Sequence, residues 1–253
     1  MNIQLQKNTI WNLSHQPHAI VCGVSGSGKS MLLIYLLYKF AQLNSEIYII
    51  DPKISDLFQL GQFLPNGHLA TDTNSTISIL ERIEIIMNDR QKEIVSSKRF
   101  GIDAYSLGFH PVVLFYDELA ALTTQITKKE TKQHYESLLK NIILKGRSAG
   151  IQVVFSLQQP NATNLPTEIR EQCSLKICLG VTTPISTREM IFGKQSNWIQ
   201  PPLDSFGVGW FSLGTPTVNI FEAPNMKNFN PNTRLIPLLN KEERHIRGYS
   251  SFE

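Results

Sequence analysis

Cysteine is scarce in this 253-residue chain, and long apolar runs are missing altogether. Cys22, Cys173 and Cys178 form no paired framework and lack the His/Cys partners of a zinc site, so buried free thiols in a reducing cytosol are expected. No stretch of about 18 apolar residues occurs, which argues against a membrane-spanning helix. The first seven residues, Met-Asn-Ile-Gln-Leu-Gln-Lys, do not have the build of a secretion signal. A cytoplasmic location is the expectation, and the N-x-[ST] matches opening at Asn12, Asn74 and Asn161 are then coincidences. A strong charge excess is missing too. The 24 basic against 21 acidic residues leave +3 and a pI near 8.7, which permits a polyanionic partner without demanding one. No internal repeat is present. What is there, 42% apolar and 18% charged residues, suits one α/β domain and excludes wholesale disorder.

The most informative stretch is Gly23-Val24-Ser25-Gly26-Ser27-Gly28-Lys29-Ser30, a full match to the phosphate-binding pattern G-x-x-x-x-G-K-[ST]. Glycines let the backbone aim successive N–H groups at phosphate oxygens, and Lys29 adds a mobile cation for the β/γ-phosphates. Ser30 offers a hydroxyl to Mg²⁺, and the following helix presents its positive dipole end. Composition alone would produce such a match roughly once in a hundred chains of this size. The context is right as well: His18 to Gly23 reads as a buried strand, and Met31 to Leu43 as a helix with Leu32, Leu33, Leu36, Leu37 and Phe40 at helical spacing.

Around that unit the chain reads as alternating strands and helices. Met1 to Gln16 is a polar lead-in, one strand and a turn, with Trp11 and Leu13 as anchors. Glu46 to Asp51 is a buried parallel strand, with Asp51-Pro52-Lys53 at its C-terminal end, the edge where ligands collect in open α/β sheets. His68 to Thr71 is a brief strand, and Asp72 or Thr73 caps a long helix to Ser97. That helix's apolar stripe leaves Glu81, Arg82, Glu84, Asp89 and Arg90 mostly outside. Lys98 to His110 and Thr123 to Thr131 read as loop and linker. Tyr135 to Lys145 is a helix closed by Gly146, Ile151 to Ser156 a strand, and Pro160 to Pro166 a loop. Thr167 to Gln172 and Thr187 to Phe192 are short helices on either side of a strand over Leu175 to Gly180. Gly207 to Ser212 and Thr217 to Phe221 form a closing antiparallel hairpin, and the tail from Lys241 is charged and loose.

Pro111 to Glu118 is the second informative stretch: five consecutive apolar or aromatic residues deliver two carboxylates at the end of a strand. Beside a glycine loop, Asp117 would hold the metal's water shell and Glu118 would orient and deprotonate the attacking water. The competing reading is that both merely cap the next helix, which starts at Leu119. Gln158, at the end of the neighbouring strand, is placed to sense a γ-phosphate.

Together these segments resemble the motor core of the FtsK/SpoIIIE family of DNA-pumping ATPases. The resemblance runs from Pro17 to Ala223. It is carried by Pro17-His18 before the glycine loop, Asp51-Pro52-Lys53, Asp117-Glu118-Leu119-Ala120, Lys145-Gly146-Arg147-Ser148-Ala149-Gly150-Ile151 and Phe155 to Pro160. In the family the last two blocks read like K-[AG]-R-[AS]-[AVS]-G-I and A-T-Q-R-P. The resemblance implies a RecA-like α/β core, a mostly parallel sheet flanked by helices. Such cores assemble as a homo-oligomeric, hexameric ring around double-stranded DNA and spend ATP, with Mg²⁺, on translocation. It implies ATP on Gly23 to Ser30, Mg²⁺ at Ser30 and Asp117, catalysis by Lys29, Asp117 and Glu118, and Gln158 as sensor. Arg147 becomes the candidate finger for a neighbouring subunit's nucleotide, with Arg170 and Arg188 as weaker candidates. Lys128, Lys129, Lys132 and the loop from Asn161 to Asn164 are the candidate DNA contacts.

The chain departs from the family at Gln159, where arginine is usual. It also shows neither a membrane-spanning N-terminal region nor a winged-helix module after Ala223. A bare motor over residues 17–225 is therefore expected, with a lead-in at 1–16, an extension at 226–253 and a membrane-anchored partner as a further expectation. Such a motor suits a plasmid or mobile element in conjugation better than chromosome segregation. Two other readings stay open: a type VII-like protein secretion motor, and a nucleotide-dependent assembly module with little turnover.

Overall fold

The computed structural model describes residues 1–158, 165–202 and 206–240. In place of one strand and a turn, the chain begins with a two-stranded antiparallel hairpin, β1 (Asn2–Gln6) and β2 (Thr9–Asn12). Alternation explains the second strand: Ile3, Leu5, Trp11 and Leu13 all point inward and are buried. The body follows as β3 (Ala19–Gly23), α1 (Lys29–Gln42), β4 (Glu46–Ile50), α2 (Asp56–Gly61), β5 (Leu69–Ala70), α3 (Thr73–Ser96), β6 (Val112–Asp117), α4 (Leu119–Thr123) and α5 (Lys129–Lys145). Then come β7 (Ile151–Leu157), α6 (Thr167–Gln172), β8 (Leu175–Leu179), α7 (Ile185–Phe192), β9 (Val208–Leu213), β10 (Asn219–Glu222), α8 (Pro231–Arg234) and α9 (Ile236–Leu239).

β3 to β10 make an eight-stranded sheet in the order β10-β9-β8-β3-β7-β6-β4-β5. Strands β3 to β8 pair in parallel, and β9 and β10 close the sheet as the antiparallel hairpin expected at the C-terminal side. The sheet is covered on both faces, which is why its strands read as unbroken apolar runs. Ile20, Cys22, Leu114, Tyr116, Val153 and Phe155 face a layer holding α3, α5, α6 and α7. Ala19, Val21, Ile47, Ile49, Val113 and Phe115 face α1, α2, α9 and the first hairpin. Leu32, Leu33, Leu36, Leu37 and Phe40 of α1 are buried as their spacing predicts, each contributing about 1.5–3 kcal/mol. Phe40 meets Trp11 and Phe115 edge-on at 5.8 and 6.0 Å. The three cysteines are free and buried.

Several local readings are corrected. α5 starts at Lys129 inside the expected linker, because its first turn is polar and shows no apolar repeat. Arg90 lies not on the solvent face of α3 but is 1% exposed. It donates to the carbonyls of His110 and Ala149 at 3.0 Å each and lies 4.9 Å over the Phe109 ring. Gly146 ends α5 with φ −68°, not left-handed. A side chain there would meet the Ile142 carbonyl at 2.5 Å, so close packing explains that glycine. The cap of α3 is Asp72, whose carboxylate accepts from the N–H groups of Asn74 and Ser75.

His18, just before β3, is fully buried. Its Nε2 donates to the Ile143 carbonyl at 3.0 Å, and its Nδ1 accepts the Val153 N–H at 3.1 Å. Only the neutral ring satisfies both bonds, and burial holds its pKa down from 6.5 to about 4. A pKa lower in the folded than the unfolded chain means stability complete above pH 6.5 and lost as pH falls toward 4. The loss should reach roughly 3 kcal/mol. Urea unfolding at several pH values should show that decline. A flat midpoint across this window would contradict it.

Candidate active site

The C-terminal ends of β3, β4, β6 and β7 open on one cleft of about 250 Å³. Gly23 to Ser30 form its floor. α1 begins at Lys29, two residues earlier than expected, which places Lys29 and Ser30 in the first helical turn. Its N-cap is Gly28 at φ +99°, with no side-chain cap, so the first-turn N–H groups face the cleft. Close packing fixes the loop: a Cβ on Gly23 would come 2.7 Å from Ser27 Oγ and 2.8 Å from the Leu179 carbonyl. A buried hydroxyl at Ser27 without a partner and an uncapped helix start suit the loop to an anion such as a triphosphate.

β7 lies between β3 and β6, so Asp117 stands two strands from the glycine loop yet lines the same cleft. Glu118 follows at φ +50°, a left-handed conformation costing about 1–2 kcal/mol for a residue with a Cβ. The Glu118 N–H is tied to the Ser156 carbonyl at 2.9 Å, which holds that turn against β7. Gln158, at the end of β7, is exposed and lines the cleft.

Two participants were not read from the sequence. Lys53 Nζ lies 3.4 Å from Glu118 Oε2. Ser55 Oγ lies 2.7 Å from Asp51 Oδ2 and 3.0 Å from Asp117 Oδ2, so one hydroxyl proton serves two carboxylates. Asp51, fully buried, organises the turn by also accepting the N–H groups of Lys53, Ser55 and Phe58. The signal was available, since Asp51-Pro52-Lys53 stands at a strand end, but nothing local showed that the turn reaches across to β6.

Other expected residues are not brought to the cleft. Arg147 is exposed and lies before β7. That is the opposite end of the strands, roughly 20 Å away at the rise of a seven-residue strand. Arg170 is half-buried and donates to Thr167 Oγ1 at 3.0 Å. Arg188 is 7% exposed and sandwiched between Trp198 and Trp210 at 4.7 and 4.3 Å, a packing position. Lys128, Lys129 and Lys132 are exposed at the start of α5. Asn161 and Gln159 fall outside the described residues. Among the described residues no group of three or more His, Cys, Asp or Glu converges. A Mg²⁺ site needs no such group, because this ion is held by one or two protein oxygens with phosphates and water. Ser30 and Asp117 line the cleft where such an ion would sit.

A glycine loop at the end of a central strand of this sheet is the arrangement of a P-loop ATPase fold. The FtsK/SpoIIIE family model matches residues 1–115, a little under half of the chain. An FtsK domain-containing protein of Bacillus subtilis, YdcQ, is 28% identical over 229 residues, covering 88% of this chain and 46% of the relative. The DNA translocase FtsK of Campylobacter jejuni is 25% identical over 256 residues, covering 90% and 26%. The chain thus spans less than half the length of these relatives. In fold it is similar to the pCW3 conjugation coupling protein TcpA in its monomer form with ATPγS. There the TM-score is 0.73 at 21% identity, covering 93% of this chain and 68% of that one. No helix among the described residues is long and apolar enough to cross a membrane.

Proposed function

We propose that this chain is a Mg²⁺-dependent ATPase motor that moves double-stranded DNA as a ring of identical subunits, hexameric as the resemblance to FtsK/SpoIIIE motors implies, serving plasmid or mobile-element transfer. The observation that carries the ATPase reading is the convergence of Gly23–Ser30, Asp117, Glu118 and Gln158 on one cleft. In this reading the loop amides and Lys29 hold the β- and γ-phosphates. Ser30 and Asp117 hold Mg²⁺, which offsets phosphate charge when bound. Glu118 takes a proton from a water whose oxygen attacks the γ-phosphorus, and the bond to the β-phosphate oxygen breaks to give ADP and phosphate. Lys53 orients the Glu118 carboxylate through Oε2, and Gln158 contacts the γ-phosphate.

Among the described residues no arginine lines the cleft, and Arg147 lies at the opposite end of the strands from it. That placement supports Arg147 serving the next subunit's nucleotide. Three lysines at the positive end of the α5 dipole repel it and one another, and a polyanion relieves both. The pair Lys132–Glu136, at 3.9 Å and more than half exposed, offsets little of this. Phosphate contacts there, at the sheet edge that carries the cleft, would grip DNA without reading sequence.

The test is triplex displacement on linear duplex DNA with ATP. The expected result is release of the third strand dependent on ATP and lost in Lys29→Ala. ATP turnover without strand release, with binding of a partner's export-signal peptide instead, would overturn the DNA reading and favour a protein cargo.

A further inference from the structure

Phe206 is 70% exposed, and among the described residues it is the one aromatic side chain lining the cleft. A single exposed aromatic is ordinary on a protein surface. This one is held in place. Its Cε1 lies 3.2 Å from where a Cβ on Gly28 would stand, so the ring rests against the N-cap of α1. The next residue, Gly207, donates its N–H to the Ser27 carbonyl at 3.0 Å, and its own carbonyl accepts the Ala223 N–H at 2.8 Å. Gly207 has φ +79°, and a side chain there would press on Ala223 at 3.1 Å. The backbone carrying the ring is therefore pinned to the phosphate loop on one side and to the end of β10 on the other.

The sheet order decides which part of a ligand meets the ring. Asp117 and Glu118 come from β6, beyond β7 on one side of β3, whereas Phe206 leads into β9, beyond β8 on the other. A nucleoside triphosphate lying over the loop with its terminal phosphate toward the carboxylates extends its base toward Phe206. An aromatic face is a good surface for any base, because stacking uses the π-face and needs no particular hydrogen-bonding edge.

We propose that Phe206 is the stacking platform for the nucleobase and so determines that this cleft holds nucleotides in preference to base-free polyphosphates. This builds on the ATPase reading above. The experiment is calorimetric titration of the full chain with Mg·ATP and, separately, Mg·tripolyphosphate. Phe206→Ala should weaken ATP binding about tenfold and leave tripolyphosphate binding unchanged, and Phe206→Tyr should keep wild-type affinity for both. Unchanged ATP affinity in Phe206→Ala, with Lys29→Ala still losing both ligands, would overturn the platform while sparing the ATPase reading. Equal losses of ATP and tripolyphosphate would also overturn it, pointing to damage of the loop itself. A wild-type chain that binds neither ligand would remove both readings together.

Discussion

Glu118→Gln should cut ATP turnover by about 10²-fold or more while ATP stays bound. The substitution keeps side-chain length and the hydrogen-bonding shape needed beside Lys53, but the amide does not accept a proton from water. The backbone of this position is set by the Glu118 N–H bond to Ser156, not by the carboxylate, so the left-handed turn survives the change. Phosphate release measured beside filter-retained ATP separates the two effects. Turnover equal to wild type would remove Glu118 as the base.

Lys29→Ala and Arg147→Ala should both abolish activity, by different routes. Without Lys29 the β/γ-phosphates lose their mobile cation, and ATP affinity should fall about 100-fold. Without Arg147, at the far end of the strands, ATP should bind normally and turnover should drop on the order of 10³-fold. Mixing the two variants then becomes diagnostic. A ring holding both kinds of subunit contains some interfaces with an intact loop on one copy and an intact arginine on the next. Activity should therefore reappear on mixing. If the mixture stays inactive while each variant still assembles, Arg147 does not act across a subunit boundary.

The central strands were legible because burial on both faces leaves an unmistakable mark. His18–Gly23, Glu46–Asp51 and Pro111–Asp117 are apolar runs too short for helices, bounded by turn residues. Their order in the sheet was only partly legible, through the expectation that the strand before Gln158 neighbours the Asp117 strand. Short elements fixed by side chains from elsewhere were not. α2 has six residues and owes its start to Asp51, whose carboxylate takes the Ser55 and Phe58 N–H groups. α8 and α9 have four residues each. The buried Leu235 and Leu239 tie them to the α1 face, and no periodicity shows in so few positions. In the cleft, the glycine loop and the paired carboxylates announced themselves by type and spacing. Lys53, Ser55 and Phe206 did not, because each gains its place from a tertiary contact: a salt bridge to Glu118, a hydroxyl bridge to Asp117, and packing on Gly28.

The most direct measurement of the central claim is steady-state phosphate release by the 253-residue chain with Mg²⁺ and ATP, with and without linear duplex DNA. A rate that needs Mg²⁺, rises when DNA is added and disappears in Glu118→Gln is the predicted result. No phosphate release under any of these conditions, from protein that binds ATP and oligomerises, would contradict it.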